Sequence, residues 1–142
     1  MDEPRLTVEL VPKPLWGKNL RSILPPARWA ELRCHCLDVA NHRCAGCGAP
    51  GNHCHEVWEY DDIMFVQRLR TLACLCSRCH DVVHLGHAQL EGRGEQAFRT
   101  LMAVNEWDSF QANEHIKWAA GKWRWRNKHR WSQDISNVVV TP

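Results

Sequence analysis

The amino-acid sequence predicts an α+β fold in one domain, on three observations. Two Cys-x-x-Cys units, Cys44-Ala-Gly-Cys47 and Cys76-Ser-Arg-Cys79, enclose 28 residues. Between them, Val57-Trp58 and the run from Val66 to Leu75 read as two strands. On either side, apolar residues recur at helical spacing. A chain of 142 residues suffices for one domain with a modest core and is short for two. Within it, 1–43 reads as an N-terminal strand and helix extension, 44–87 as a metal-stapled core, and 88–142 as a basic, helical C-terminal extension.

Taken in order, Leu6 to Val11 alternates weakly and predicts a short strand, ended by Pro12 and Pro14. Trp16 to Arg21 reads as loop or turn. Pro25-Pro26 opens a helix, because proline suits a first turn whose N–H groups have no partner in the helix. Trp29, Leu32, Cys36 and Val39 form its apolar face, and Asn41 ends it. Cys34 and Cys36 are two apart, point to different sides, and read as small apolar fillers. The acidic Tyr60-Asp61-Asp62 turn begins the connection between the two central strands. His80 to His84 then predicts a short helix with Gly86 as its stop. Two helical patterns follow. One runs from Gly94 to Val104 with Phe98, Leu101 and Met102 on one face. The other starts near Asp108, which forms a capping box with Gln111, and carries Ile116, Ala119, Ala120 and Trp123 as a stripe. The tail from Ser132 to Pro142, with Val138-Val139-Val140, reads as an edge strand or a frayed end.

Composition is that of a globular protein, with 44% hydrophobic and 24% charged residues. No apolar run approaches the roughly 18 residues that would span a bilayer. Met1-Asp2-Glu3-Pro4-Arg5 lacks the basic and apolar regions of a signal peptide, so a reducing cytosol is expected. The eight cysteines then read as metal ligands or free thiols, not disulfides. Net charge is only +2, yet Lys117 to Arg130 holds six Lys or Arg and no Asp or Glu, while Glu56, Glu59, Asp61 and Asp62 cluster elsewhere. Such a stripe suits a polyanion, or is a solvated helix face. Trp118, Trp123, Trp125 and Trp131 interleave with these cations and can stack on bases. Packing is the favoured role. Trp118 and Trp125, seven apart, would share a buried face, and Trp16, Trp29, Trp58 and Trp107 read as core.

Four thiolates from two tight turns suit one tetrahedral zinc, with Zn–S near ~2.3 Å. Gly46 and Gly48 supply the backbone freedom such turns need. Cys44, Cys47, Cys76 and Cys79 are therefore the candidate ligands of a structural zinc with no open position, the alternative being a pair of redox Cys-x-x-Cys units. Histidines gather inside the same frame, at His53-Cys54-His55-Glu56 and at His80 and His84. The last two, four apart on a helix, can grip one cation. An alternative is that these histidines back up the zinc itself, as in a site of three thiolates and one imidazole.

The ordered set Cys44-x-x-Cys47-Gly48, His55, Leu72-x-x-Leu75-Cys76-x-x-Cys79 and His80-x-x-x-His84 resembles the zinc-containing branch of the HNH (His-Me finger) endonucleases. The resemblance covers about the central third of the chain. It implies a ββα-metal (His-Me) finger stapled by the four-cysteine site, flanked by N- and C-terminal helices, that hydrolyses DNA phosphodiester bonds. By position, His55 would be the general base, accepting a proton from water as neutral imidazole can. His80, His84 and Cys54 would hold a second, catalytic divalent ion, and Thr71 stands where the family has its bracing asparagine. Cys54 takes a place usually held by Asp or His. Thiolate suits soft metals better than magnesium, so the second ion is Mg2+, Mn2+ or a softer metal such as Zn2+ or Ni2+. Glu56, Glu59 or His53 would complete the shell. Arg78, Lys122, Arg124, Arg126, Lys128 and Arg130 would contact DNA. The expected partner is DNA and no membrane, in the cytoplasm of a bacterial or phage-infected cell; a protein partner or homodimer is left open. The competing readings are a catalytically inactive, zinc-stapled nucleic-acid-binding or adaptor protein on the same frame, and a protein-interaction module that exposes its tryptophans.

Overall fold

The computed structural model describes residues 3–139. Met1, Asp2 and the end of the valine run from Val140 lie outside the described residues. The fold is α+β, with a three-stranded sheet among the described residues. β1 (His53–Asp61) and β2 (Val66–Leu75) form an antiparallel hairpin, and β3 (Ser132–Asp134) adds in parallel to β2. His53 pairs with Leu75, Cys54 with Cys74 and His55 with Ala73. Between Val57 and Trp58 the register shifts, leaving Arg70 as the extra residue of a β-bulge. At the hairpin tip Asp61 Oδ1 accepts the N–H groups of Ile63 (3.0 Å) and Met64 (2.9 Å), the local bond that makes aspartate a turn residue.

Helices surround this sheet. α1 (Leu20–Ile23) occupies part of the segment read as loop, capped reciprocally by Asn19 and Ser22. α2 (Pro26–Val39) starts where the prolines predict. Its buried residues are Leu32, Cys36 and Leu37, whereas Val39 is 69% exposed, so the predicted face is rotated at its C-terminal end. Beyond it Asn41 and His42 take left-handed φ values of 52° and 54° and turn the chain into the first cysteine pair. α3 (Ser77–Val83) and α4 (Leu85–Leu90) are separated at His84. Gly86 is thus no stop: it lies inside α4, and the break falls at His84, whose φ of −106° and ψ of 49° leave the helical region. α5 (Gly94–Asn105) is anchored to α3 by Arg93, which makes a two-bonded pair with Asp81 (2.9 and 3.2 Å). α6 (Ser109–Arg126) begins with the predicted capping box, Gln111 N to Asp108 Oδ1 at 2.8 Å and Asp108 N to Gln111 Oε1 at 2.9 Å.

The N-terminal segment is a strap instead of the predicted strand. Its backbone groups are satisfied by side chains and a helix end: Asn105 Oδ1 accepts from Arg5 N (2.8 Å) and Leu6 N (3.2 Å), His115 Nε2 accepts from Val8 N (3.0 Å), and Glu9 N donates to Val83 O (3.0 Å). Leu6 and Val8 are buried beside Cys44, Cys79, Val82, Val83 and Leu101 in the larger core. A second core on the other side of the sheet joins Leu20, Leu32, Leu69 and Val138. Of the tail read as an edge strand or frayed end, Ser132–Asp134 is the edge strand β3, and Val138 reaches the second core from α7 (Ser136–Val139), a helical turn.

The tryptophans divide. Trp131 is buried and donates to Arg126 O at 2.8 Å, and Trp29 and Trp58 pack against the second core. Trp16, Trp118 and Trp125 are exposed at 61%, 58% and 40%, against expectation. The spacing does put Trp118 and Trp125 on related faces of α6, but the face that meets the core carries Ala112 and Ala119. Among the described residues no helix is long and apolar enough to cross a membrane.

Candidate metal centre and histidine cluster

Cys44 sits in the turn before β1, and Cys76 caps α3. The β1–β2 hairpin returns the chain on itself, so the two cysteine pairs meet although 28 residues separate them. The four sulfurs all lie within 4.8 Å of one another, a group that can hold a metal ion. A tetrahedron with ~2.3 Å metal–sulfur bonds has S···S edges of about 3.8 Å. Cys47 Sγ and Cys76 Sγ, 3.6 Å apart, meet that requirement. Backbone N–H groups point at the sulfurs: Gly46 N to Cys44 Sγ at 3.3 Å and Cys79 N to Cys76 Sγ at 3.5 Å. Burial works against the Cys44 thiolate, but hydrogen bonds from this backbone outweigh it and bring the thiol down to about 7. Both glycines have reasons to be there. Gly48 has a φ of 80°, and a side chain on Gly46 would collide with Cys79.

On β1, and at α3, a second group forms. His55 pairs in register with Ala73, close to where β2 runs into α3, and His80 and His84 lie one helical turn apart. The ligand nitrogens of His55, His80 and His84 all come within 4.8 Å of one another. Ring centroids are 5.9 Å from His55 to His80, 5.3 Å from His55 to His84 and 4.6 Å from His80 to His84, all edge-on, so no stacked faces block the nitrogens. Burial, reinforced by neighbouring imidazoles, pushes His80 down to about 3 and His84 down to about 4. Both are therefore neutral near pH 7 and offer lone pairs, the state in which histidine binds metal. The three rings line a cavity of about 900 Å³ together with Glu9, Arg33 and Lys122.

Other predicted site residues are placed differently. Cys54 is not in the histidine group. Successive strand residues face opposite ways, and Cys54 turns to α2, where its thiol donates to Cys36; that bond raises Cys54 and lowers Cys36. Thr71 lines a separate, smaller cavity with Leu32, Cys36 and Leu72, and its hydroxyl bonds the Leu72 carbonyl at 3.4 Å. Glu56, on the same side as Cys54, accepts from Leu20 N at 2.7 Å, and Glu59 is exposed. His53 stacks on His80 at 4.4 Å and bonds Ser77 Oγ at 3.1 Å, which makes it a wall of the site and not a member of the converging group. Of the basic residues, Arg126 is committed to Asp62 (2.8 and 2.9 Å) and lies 4.3 Å over the Tyr60 ring, and Lys122 reaches the same aspartate at 3.5 Å. Arg78, Arg124, Lys128 and Arg130 are exposed.

One site residue has no sequence signal. Glu9, on the N-terminal strap, places Oε2 in hydrogen-bond contact with Nε2 of the buried His55. Nothing in its spacing marks it, since it is 46 positions from its partner. Comparison of the chain with protein-family models, curated proteins and solved structures finds no match.

Proposed function

We propose that this protein is a metal-dependent endonuclease of the HNH type that hydrolyses DNA phosphodiester bonds, built on a ββα finger with a structural zinc at Cys44, Cys47, Cys76 and Cys79. The observation that carries the reading is the convergence of His55, His80 and His84 beside a closed four-cysteine group. Four thiolates leave a metal no free position, so the cysteine site is structural and the open chemistry belongs to the histidines. His80 and His84 would hold a divalent ion, whose charge there stabilises the phosphate and the leaving oxygen. With Cys54 turned away, the donors are imidazoles, which suit zinc, nickel or cobalt and tolerate manganese. His55 takes a proton from the attacking water at a ring nitrogen, with Glu9 bonded to Nε2 of that ring and His53 stacked on His80. Exposed Lys128, Arg130 and Arg124 supply cations for the DNA backbone. Plasmid incubated with the protein and Mg2+, Mn2+, Co2+, Ni2+ or Zn2+ tests this. Cleavage with at least one ion, abolished by His55→Ala while folding and cysteine-bound metal persist, is expected. No cleavage with any of them removes the enzyme reading.

A second reading, an inactive frame used as an adaptor, is favoured by Thr71, which lines the other cavity and leaves the bracing position without a side chain aimed at His55. Under it the chain would hold one metal ion and bind DNA without cutting.

A further inference from the structure

We infer that Glu9 is a positioning residue of the histidine site: its carboxylate fixes the His55 ring so that Nε2 carries the hydrogen and Nδ1 keeps a bare lone pair for the site. The inference rests on the reading of His80 and His84 as an ion site with His55 as the general base beside it.

A carboxylate only accepts, so the atom of His55 that meets Glu9 Oε2, Nε2, must be the N–H. A neutral imidazole has one N–H and one lone pair, and the lone pair is then on Nδ1. That atom is what a general base or a metal ligand requires. Glu9 touches His55 but does not belong to the group whose ligand atoms converge, so it acts on the ring from outside. A carboxylate on the far nitrogen is the usual means by which a protein orients a working histidine and raises its basicity.

The strap that carries Glu9 is tied down on both sides of it. Val8 N donates to His115 Nε2 at 3.0 Å and Val8 is buried, while Glu9 N donates to Val83 O, the residue before His84, at 3.0 Å. Alternation then turns Val8 into the core and Glu9 toward His55. Glu9 thus links the two halves of the site: its backbone bonds the helix that bears His80 and His84, and its side chain bonds the strand that bears His55. Thr71 lines a different cavity, so the bracing that its position implies falls to a carboxylate from the other end of the chain.

The test uses full-length protein loaded with zinc at the cysteines. Nitrogen-15 NMR of the histidine rings should show His55 protonated at Nε2 in the wild type, and Glu9→Ala should lose that preference. Plasmid cleavage with Co2+ should fall about 10- to 100-fold in Glu9→Gln, a substitution that keeps the shape and the hydrogen bond but removes the charge, while Co2+ binding at His80 and His84, followed by its visible absorption, stays as in the wild type. Melting temperature and cysteine-bound zinc should be unchanged in Glu9→Gln. A wild-type ring protonated at Nδ1, or cleavage by Glu9→Gln equal to that of the wild type, overturns the inference. Wild type that takes no Co2+ at the histidines overturns the ion site instead, and the ring tautomer alone then decides whether Glu9 orients His55.

Discussion

A Cβ on Gly46 would lie 2.9 Å from Sγ of Cys79, closer than a carbon and a sulfur can sit. Cys79 is fully buried and cannot step aside into solvent. Gly46→Ala should therefore displace one ligand sulfur and cost about 1–3 kcal/mol, the range for overpacking a filled interior. Gly48→Ala tests a different cause, since its φ of 80° is strained for alanine but the space beside it is open. Denaturant midpoints and competition with a chelator measure both. Gly46→Ala should lose metal affinity and stability together, and Gly48→Ala mainly stability.

Removing the metal should dismantle the centre of the fold. Structural zinc sites contribute about 10–16 kcal/mol in small domains. A whole domain has only about 5–15 kcal/mol of net stability. Cys44 and Cys79 lie inside the larger core, so the loss reaches beyond the turns themselves. Chelation, or Cys76→Ser, is expected to abolish the cooperative thermal transition followed by circular dichroism. An unchanged transition would mean that apolar burial alone holds the two cysteine turns.

Asp62 ties the hairpin to α6 through Arg126, and this contact sets an acid limit. The Arg126 guanidinium holds the Asp62 carboxyl below its ordinary value of 3.8. A carboxyl depressed in the folded state stabilises above its unfolded pKa, and that contribution disappears as pH falls through the folded pKa. Asp62→Asn should therefore cost about 1 kcal/mol at pH 7, typical of a partly exposed pair. The difference from wild type should vanish below the carboxylate range. Urea titrations of both proteins at a series of pH values check the sign.

The paired and exposed cations of α6 and the segment after it should behave differently toward DNA. Lys128→Ala and Arg130→Ala should each lower the slope of log affinity against log salt by about 1. Arg126→Ala should mainly lower stability, because it removes two bonds to Asp62 and the contact over Tyr60. Fluorescence anisotropy with a labelled duplex over a range of salt distinguishes the two. Salt-independent binding, or none, speaks against a polyanion on this face.

Where the decisive interaction is short in sequence, it can be read directly. The Cys-x-x-Cys turns, the Asp108–Gln111 cap and the one-turn spacing of His80 and His84 are such cases, and each is present. Spacing is less informative about which face is buried. Trp118 and Trp125 share a side of α6, yet only packing decides that Ala119 meets the core instead. Cys54 shows the limit of position-by-position resemblance: strand alternation sends it to Cys36 while its neighbour His55 faces the site. Glu9 could not be found at all, because its role depends on where the strap is tied, by His115 and by Val83. Gly86 illustrates a boundary effect, where the backbone breaks at His84 and a glycine two residues on continues a new helix.

Crystals of zinc-loaded protein soaked in Co2+ and measured for anomalous scattering at the cobalt and zinc edges decide whether the histidines hold an ion of their own. A chain with both sites gives two peaks, one among Cys44, Cys47, Cys76 and Cys79 and a second, containing cobalt, at His80 and His84 beside His55. A peak at the cysteines with none at the histidines, under conditions where soaked plasmid also stays intact, would contradict it.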